Sequence, residues 1–473
     1  MAKVLLIAYD NESRISYFPL GLAYIAGAIR NYYESSSKHG GGGGYVTVYN
    51  QDVYHYTEEH LTKFLDDNDF DVVGLSSCGG YFQYRKIKAL TEAIAKSKNK
   101  HFVVIGGHLV SSEPEYFLRK FHCDAICIGE GEKTVVDLLD ALESEKSLSE
   151  VKGIAFLKDD EFIQTERQAL IENLDEINIP AYDLFPIDSY AHFPRANARA
   201  TDRFMPILSG RGCIFTCNFC YRMDKGFRPR TAESILREIT YLQKNYNITY
   251  IDFCDELLMS SSKRTTELCE AFIDSELKFR WSCNGRLNFA KRDILESMKK
   301  AGCVFINYGI ESLDDTALRT MGKSLTVKQI IEGIENTLAA GISPGLNVIF
   351  GNIGENQNCL DKDVEFLLKY DDHAQLRTIR PVTPYPGSPL YDYAVQKGLI
   401  KDCEDFYENK HTNSDLLTVN FTDMTDDEFY AALHKANKIL LDNYIENIKT
   451  KNTELLDNLY GKRDGSFRGF RHT

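Results

Sequence analysis

Short apolar runs alternate with amphipathic stretches along the first third of the chain. Helical periodicities such as Leu20–Arg30, Tyr84–Ala95 and Lys133–Leu142 separate the apolar runs. Continuous apolar strands that alternate with helices are typical of a parallel sheet covered on both faces. The pattern predicts a doubly wound, Rossmann-like α/β domain over residues 1–144. Its strand candidates are Val4–Ala8, Val46–Asn50, Val72–Ser76, Phe102–Ile105 and Ala125–Ile128.

The same alternation resumes near residue 201 and continues to about residue 390. Helical patterns such as Ala232–Asn245, Lys291–Ala301 and Val327–Ala339 separate six strand candidates. Six strands are too few for the closed eight-stranded α/β barrel, so a partial (β/α)6 barrel is predicted, with ligands at the carboxyl ends of its strands. The candidates are Phe204–Ser209, Tyr250–Cys254, Phe279–Asn284, Cys303–Gly309, Gly345–Phe350 and Leu376–Pro381.

Two less regular regions complete the predicted organisation. Residues 145–200 form a connector in which Gly153–Leu157 and Phe162–Thr165 are expected to make a hairpin. Residues 391–473 form a helical C-terminal region that ends in a basic tail, Lys462–Arg471, for which we expect mobility.

Composition and charge exclude some classes of function. The 55 basic and 69 acidic residues give a net charge of −14, which argues against a nucleic-acid-binding surface. No apolar stretch approaches the ~18 residues of a membrane span, and the first apolar run lacks a cleavage site. The twelve cysteines favour a reducing compartment. We therefore expect a cytoplasmic protein without an integral membrane segment, and a glycine run, Gly40–Gly44, as a surface insertion.

Three cysteines within eight residues follow the first barrel strand candidate: Cys213, Cys217 and Cys220. Thiolates suit iron–sulfur clusters or zinc. Three of them leave one iron of a cubane open, and that iron can chelate the amino and carboxylate groups of S-adenosylmethionine (SAM) and pass it an electron. A structural zinc site prefers four protein ligands, and this loop holds no fourth Cys or His. The spacing favours a [4Fe–4S] cluster over a zinc knuckle or a chance grouping.

This spacing resembles that of the radical SAM superfamily, and ordered strings over about 205–395 are similar to it as well. In that family the loop after the first barrel strand holds the cluster, and the three cysteines match that loop residue by residue. Asp252–Glu256 resembles the place after the second strand where the methionine amino group is contacted. The usual Gly-Gly-Glu-like motif lacks its glycines here, so Asp255 or Glu256 is either that contact or a solvated acid.

Three later positions extend the resemblance. Arg286 lies just past the third strand, where a guanidinium can pair with the methionine carboxylate, although a surface arginine would look the same. Glu311 belongs to a glycine–apolar–Glu–Ser string, which implies contacts with ribose hydroxyls or the methionine moiety. Asn347 begins a string that resembles the adenine-binding strand, with two departures from its Gly-x-Pro-Gly-Glu-Thr ending. Pro384–Tyr391 resembles the element after the barrel.

Three strings in the first domain, Phe18–Tyr24, Gly106–His108 and Asp124–Glu132, are together similar to the cobalamin-binding domain of cobalamin-dependent radical SAM enzymes. The Asp-x-His-x-x-Gly signature is absent, so no histidine ligand to cobalt is expected, and packing or a corrin-edge contact is favoured for His108. A domain that no longer binds cobalamin stays open, whereas no GxGxxG supports a dinucleotide site. The implied crevice residues are Ser76, Ser77, Gly106, Gly107, Gly129 and Gly131.

The resemblance implies an enzyme with three cofactors: a [4Fe–4S] cluster, SAM and cobalamin. It would form a 5′-deoxyadenosyl radical, and methylation of an unactivated carbon centre leads the possible outcomes. Cyclisation, oxidation and ring rearrangement are alternatives, as are a cofactor-binding protein without turnover and an α/β interaction protein with a zinc knuckle. The partners implied are a small-molecule substrate and an external electron donor such as flavodoxin or ferredoxin.

The C-terminal region is expected to cover the barrel mouth. Its aromatic residues either line a substrate pocket or form the core of that region, the commoner outcome. They are Phe406, Tyr407, Phe421, Phe429 and Tyr430.

Overall fold

The computed structural model describes residues 1–13, 16–35, 45–192 and 197–466. The run Gly40–Gly44 and the part of the basic tail beyond residue 466 lie outside the described residues. A seven-stranded sheet in the order β2-β1-β3-β4-β5-β6-β7 forms the N-terminal part. Its strands are β1 Val4–Ala8, β2 Val46–Asn50, β3 Val72–Ser77, β4 Phe102–Gly107, β5 Ala125–Cys127, β6 Ile154–Lys158 and β7 Glu161–Gln164.

The first five strands of this sheet are parallel, which confirms the predicted doubly wound fold. Buried apolar clusters cover both faces. The strand order reverses between β1 and β3, and ligands bind α/β sheets outside the carboxyl ends of the strands at such a point. The helices are α1 Leu20–Ser35, α2 Gln51–Tyr54, α3 Glu58–Asp67, α4 Tyr81–Ala95, α5 His108–Ser111, α6 Pro114–Lys120 and α7 Gly131–Glu143.

The hairpin that the sequence predicts in the connector extends this sheet. β6 pairs antiparallel with β5, and β7 pairs antiparallel with β6. Thr165 and Ile154 add further hydrogen bonds at the open end of the hairpin. The sheet therefore continues past residue 144 by two strands.

A second sheet of six parallel strands forms the predicted partial barrel, in the order β15-β14-β13-β12-β11-β8. All six strand candidates are present, and a two-stranded ribbon, β9–β10, follows the first of them. The strands are β8 Phe204–Ile207, β9 Gly210–Arg211, β10 Arg228–Pro229, β11 Tyr250–Phe253, β12 Arg280–Gly285, β13 Cys303–Glu311, β14 Ser343–Phe350 and β15 Ile379–Pro381.

Helices cover the outer face of the barrel sheet and continue into the C-terminal region. The amphipathic helices α9 to α14 place apolar residues such as Ile235, Leu295 and Ile334 in the core beneath the strands. The helices are α8 Ile187–Tyr190, α9 Ala232–Tyr246, α10 Ser262–Asp274, α11 Arg292–Lys300, α12 Asp315–Thr320, α13 Val327–Ala339, α14 Gln357–Tyr370, α15 Pro389–Gln396 and α16 Asp426–Leu456.

Three of the five aromatic residues of the C-terminal region, Phe406, Tyr407 and Phe429, are buried against the two sheets, whereas Phe421 is half-buried and Tyr430 is exposed. Tyr407 stacks on Tyr84 at 4.6 Å between ring centroids and lies 5.7 Å from Phe117, so it packs against the helices of the first sheet. Phe429 stacks on Phe350 of β14 at 5.0 Å. The buried ones thus lie in cores shared with the two sheets and not in a core of the C-terminal region's own, and none of the five is among the lining residues of the cavity described below.

The long helix α16 packs against α14 and β15 at one edge of the barrel sheet. There the side-chain amide of Asn437 donates to the carbonyl oxygen of Ile379 at 2.9 Å and accepts from its backbone N–H at 2.8 Å. The second half of α16 is largely exposed. Over the ranges that the structure describes, no helix is both long and apolar enough to cross a membrane.

Candidate functional site

A cavity of about 490 Å³ lies between the carboxyl ends of the two sheets. Most of the crevice residues predicted in the first domain line one side of it, and Gly210, Gly212 and Cys254 at the mouth of the barrel line the other. The sequence-predicted residues that line this cavity are Ser76, Gly106, Gly107, His108, Gly129, Gly131, Asp255 and Glu256. The fold therefore opens both predicted cofactor regions into one space.

Ser77 lies behind this crevice instead of lining it. Its side chain is 3% exposed, and its hydroxyl donates a hydrogen bond to the Gly106 carbonyl oxygen at 3.1 Å. The backbone of Ser77 also faces Gly107, which has a φ of +100° and where a Cβ atom would lie 2.1 Å from the Ser77 carbonyl oxygen. Ser77 thus supports a turn that only glycine can make.

His108 begins α5 at the rim of the same cavity. Its ring meets the ring of Tyr221, from the barrel, edge to face at 5.9 Å. Burial lowers the pKa of His108, and the negative charge of Asp224 only partly opposes this. A neutral imidazole therefore faces the cavity from the N-terminal sheet.

The loop with the three cysteines leaves β9 and returns to β10. Gly212 opens it with a φ of +86°, and a Cβ atom there would lie 2.4 Å from the carbonyl oxygen of Gly226. At the middle of the loop, the Asn218 N–H donates to the Met321 carbonyl oxygen at 2.8 Å. The Asn218 carbonyl oxygen in turn accepts from the Leu390 N–H at 2.8 Å. Backbone bonds to two distant segments thus hold the centre of the loop.

The thiols of this loop differ in exposure and charge. Cys217 is buried, whereas Cys220 is exposed. A hydrogen bond from Cys220 lowers the pKa of Cys217 to about 6, against the effect of burial and with help from Lys323 and Arg286. Cations beside a thiol favour the thiolate, which is the form that binds iron.

No three His, Cys, Asp or Glu side chains converge on a single-ion site within the described part of the chain. The ligating sulfurs of a cubane sit on different irons and lie further apart than the ligands of one ion. Three thiols on one loop with cationic neighbours therefore fit a cluster and do not form a closed zinc site.

Arg286 follows β12 as predicted, but its guanidinium is engaged with the cysteine loop. The side chain is buried and lies over the ring of Phe215, 3.4 Å from its centroid. One nitrogen donates to the carbonyl oxygen of Lys323 and another lies 3.9 Å from Cys217 Sγ. The remaining nitrogen, Nε, is buried and has no hydrogen-bond partner among the residues that the structure describes.

Glu311 ends β13, also as predicted, and forms a buried ion pair. Its carboxylate lies 2.6 Å from the ammonium of Lys323, and both side chains are less than a tenth exposed. The backbone of Glu311 has a φ of +70°, an unusual conformation for a residue with a side chain. Lys323 also lies 6.0 Å from the ring of Phe219 in the cysteine loop. Glu311 is therefore neutralised within the protein.

The two acids after β11 have different surroundings. Asp255 is 3% exposed and accepts hydrogen bonds from the Ser209 N–H at 2.9 Å and hydroxyl at 2.5 Å. Burial raises the pKa of Asp255, and the bonds from Ser209 oppose this. Glu256 is exposed. Asp255 thus joins the ends of two strands, while Glu256 is available to a ligand.

Asn347 on β14 is exposed and belongs to a ladder of amides that the sequence reasoning missed. Its Nδ2 donates to Asn307 Oδ1 at 2.7 Å on β13, and Asn307 Nδ2 donates to Asn284 Oδ1 at 3.2 Å on β12. Asn284 Nδ2 donates to the Asp255 carbonyl oxygen at 3.0 Å. Asparagines on three successive strands were the signal that could have revealed it. The ladder leaves the Asn347 carbonyl oxygen at its open end as an acceptor.

Comparisons with known proteins agree with this geometry. A family model described as the radical SAM superfamily matches residues 207–367, and one described as the B12 binding domain matches residues 11–139. The uncharacterized methyltransferase PH0819 of Pyrococcus horikoshii is 30% identical over 412 residues, 84% of each chain. The anaerobic magnesium-protoporphyrin IX monomethyl ester cyclase of Rubrivivax gelatinosus is 26% identical over 82% of this chain and 68% of its own.

Two solved structures share the fold. The cobalamin-dependent SAM radical enzyme OxsB, with aqua-cobalamin and SAM bound, superposes with a TM-score of 0.64 at 22% identity, over 84% of this chain and 56% of that one. The radical SAM methyltransferase TsrM from Kitasatospora setae, with cobalamin and a [4Fe–4S] cluster bound, gives a TM-score of 0.72 at 15% identity, over 93% and 89% of the two chains.

The fold and the site define a cofactor-dependent α/β enzyme in which a crevice of the N-terminal sheet faces a partial barrel with a three-thiol loop. The chain belongs to the cobalamin-dependent radical SAM enzymes. The cofactors that the sequence predicts, a [4Fe–4S] cluster, SAM and cobalamin, are confirmed by this membership.

Proposed function

We propose that this enzyme transfers a methyl group to an unactivated carbon centre of a small-molecule substrate. The observation that carries the proposal is the shared cavity of about 490 Å³, which joins the strand ends of the cobalamin-binding sheet to the mouth of the barrel. A methyl donor in the crevice and a radical formed in the barrel would then reach the same substrate atom. The similarity to the methyltransferase PH0819 supports the same reaction class.

The residues of the site have distinct proposed roles. Cys213, Cys217 and Cys220 hold the cluster. Glu256 and Asn347 are exposed and bind SAM in our proposal. The Glu256 carboxylate accepts from the amino group of SAM, and the Asn347 carbonyl oxygen accepts from a hydroxyl or amino group of SAM. Arg286 and Glu311 are positioning residues in our proposal, because their charged groups already contact the cysteine loop and Lys323.

The cofactors supply the chemistry: when bound, the cluster would provide the electron that cleaves one SAM to methionine and a 5′-deoxyadenosyl radical, and cobalamin would pass on a methyl group taken from a second SAM, which leaves as S-adenosylhomocysteine. An external donor such as flavodoxin or ferredoxin supplies the electrons. The protein itself orients the reactants and excludes water. In this chain the buried carboxyl of Asp255, held by Ser209, fixes the barrel rim on which Glu256 stands.

The test uses the enzyme reconstituted anaerobically and SAM with a deuterated methyl group. In the presence of small-molecule extract and dithionite we expect 5′-deoxyadenosine together with a product that carries the intact labelled methyl group. If 5′-deoxyadenosine forms together with an unlabelled product that is dehydrogenated or cyclised, the methylation proposal is wrong. The reaction would then be of the class named for the cyclase relatives.

A matched pair of cysteine variants tests the cluster assignment. Cys217→Ala should lose cluster iron and 5′-deoxyadenosine formation, because three thiolates are the minimum set here. Cys359→Ala removes a buried thiol outside the loop and should retain both. Undiminished 5′-deoxyadenosine from the Cys217 variant would contradict the assignment.

A further inference from the structure

The strands of the ribbon β9–β10 form the two stems of the cysteine loop, and each carries an arginine. Arg211 and Arg228 are directly opposite each other in the antiparallel pairing. Like charges directly opposite across two strands destabilise their pairing. The ribbon has only two residues on each side, so its backbone bonds offer little to offset this repulsion. Something else must hold the base of the loop closed.

The N-terminal sheet supplies the compensating charge. Glu130 Oε1 accepts from Arg211 and from Arg228, each at 2.8 Å, and Glu130 Oε2 accepts from Arg228 at 3.0 Å. Arg211 also pairs with Glu132 and lies over the ring of Tyr24, 5.3 Å from its centroid. Two carboxylates thus neutralise two guanidinium groups.

The four charged groups of this pairing are shielded from water. All four charged side chains are between 11% and 16% exposed. Burial raises the pKa of Glu130, but the hydrogen bonds from Arg228 and Arg211 outweigh it and hold the pKa at about 2. A charge-assisted, bidentate pair in such surroundings is geometrically specific.

Glu130 connects the cobalamin crevice with the cysteine loop. Glu130 lies between Gly129 and Gly131, at the N-terminus of α7. It lines the cavity on the side of the cobalamin-binding sheet. Its partners, Arg211 and Arg228, flank the loop that carries the cluster thiols. We infer that Glu130 is a positioning residue that clamps the stems of the cluster loop and sets the loop's place relative to the cobalamin crevice.

The test measures hydrogen exchange of the full-length protein, before and after cofactor loading. Glu130→Gln leaves Glu132 as the single counter-charge for the two facing arginines, and peptides covering residues 212–227 should exchange about tenfold faster or more. Glu58→Gln is the matched control, because it breaks a pair with the buried Lys86 inside the N-terminal domain and should leave this loop unchanged.

A double variant separates charge compensation from general loss of packing. Glu130→Gln combined with Arg228→Gln removes the like-charge pair, so we expect the loop to recover most of its protection relative to Glu130→Gln alone. Unchanged exchange of residues 212–227 in Glu130→Gln, or no recovery in the double variant, would overturn the inference. Because exchange before cofactor loading needs no turnover, the result is independent of whether the enzyme transfers a methyl group.

Discussion

Replacing Lys323 with methionine tests how the buried ion pair supports the end of β13. The substitution keeps an apolar stem of similar length but removes the ammonium that lies 2.6 Å from the Glu311 carboxylate. Glu311 is then left as a charged group in a place where the native side chains are 7% and 9% exposed. The backbone of Glu311 also has a φ of +70°, which costs energy. The ion pair offsets this cost in the native protein but not in the variant.

The expected cost follows from this burial. Breaking a buried pair by removing one partner destabilises proteins by about 3–5 kcal/mol, because the other charge stays without compensation. The matched control is Lys362→Met, which breaks a pair with Asp314 whose side chains are 43% and 22% exposed. An exposed pair contributes about 1 kcal/mol or less. The two lysine variants should therefore differ by several kcal/mol.

The assay is urea unfolding followed by tryptophan fluorescence. The chain has a single tryptophan, Trp281, buried on β12, so the signal reports the barrel. Adding Glu311→Gln to Lys323→Met should restore most of the lost stability, because the orphaned charge disappears. If Lys323→Met costs no more than Lys362→Met, or if the second substitution restores nothing, the reasoning about this pair is wrong.

Two further predictions concern the turn after β14 and the cobalamin crevice. Burial raises the pKa of Glu355 to about 7, so its contribution to stability is full below pH 4.5 and is lost as the pH rises through 7. In urea unfolding, the free energy of unfolding of Glu355→Gln should therefore lie within about 1 kcal/mol of the wild-type value at pH 5 and exceed it by up to about 3 kcal/mol at pH 9. Gly106→Val should lower cobalamin affinity about tenfold, measured by absorbance titration, because its methyl groups enter the cavity.

Each of these has its own control. A Cβ atom at Gly106 would meet Cys127 Cβ at an ordinary 3.5 Å. In a Gly106→Val variant whose far-UV circular dichroism matches the wild type, unchanged affinity would remove Gly106 from the crevice. Gly461→Ala, in open surroundings, should bind cobalamin like the wild type. For Glu355, a stability difference from the glutamine variant that is constant between pH 5 and pH 9 would contradict the raised pKa.

The sequence predicted the strands of the barrel well because parallel strands buried on both sides are apolar throughout. Tyr250–Cys254, for example, was expected where the structure has Tyr250–Phe253. The ribbon β9–β10 was missed, because two-residue strands carry no periodicity. The placement of the hairpin β6–β7 on β5 depends on a pairing between strands far apart in the chain, which no local pattern encodes.

For the site, residue types at strand ends indicated the right region but not the partner of each side chain. Glu256 and Asp255 are adjacent in sequence, yet only the fold shows that Asp255 faces Ser209. The engagement of Arg286 with Phe215 likewise depends on the path of the cysteine loop in space. Lys323 gave no signal, because its role depends on a carboxylate twelve residues earlier on a strained strand end.

The amide of Asn437 offers the edge strand β15 the same pair of hydrogen bonds that another strand would offer at Ile379. An incomplete barrel has edge strands, and the unpaired N–H and C=O groups of an edge strand can pair with a strand of another molecule. Here the Asn437 side chain takes the place of a neighbouring strand and bonds both the N–H and the carbonyl oxygen of Ile379. The barrel sheet can thereby end at β15 without offering Ile379 to a strand of another molecule.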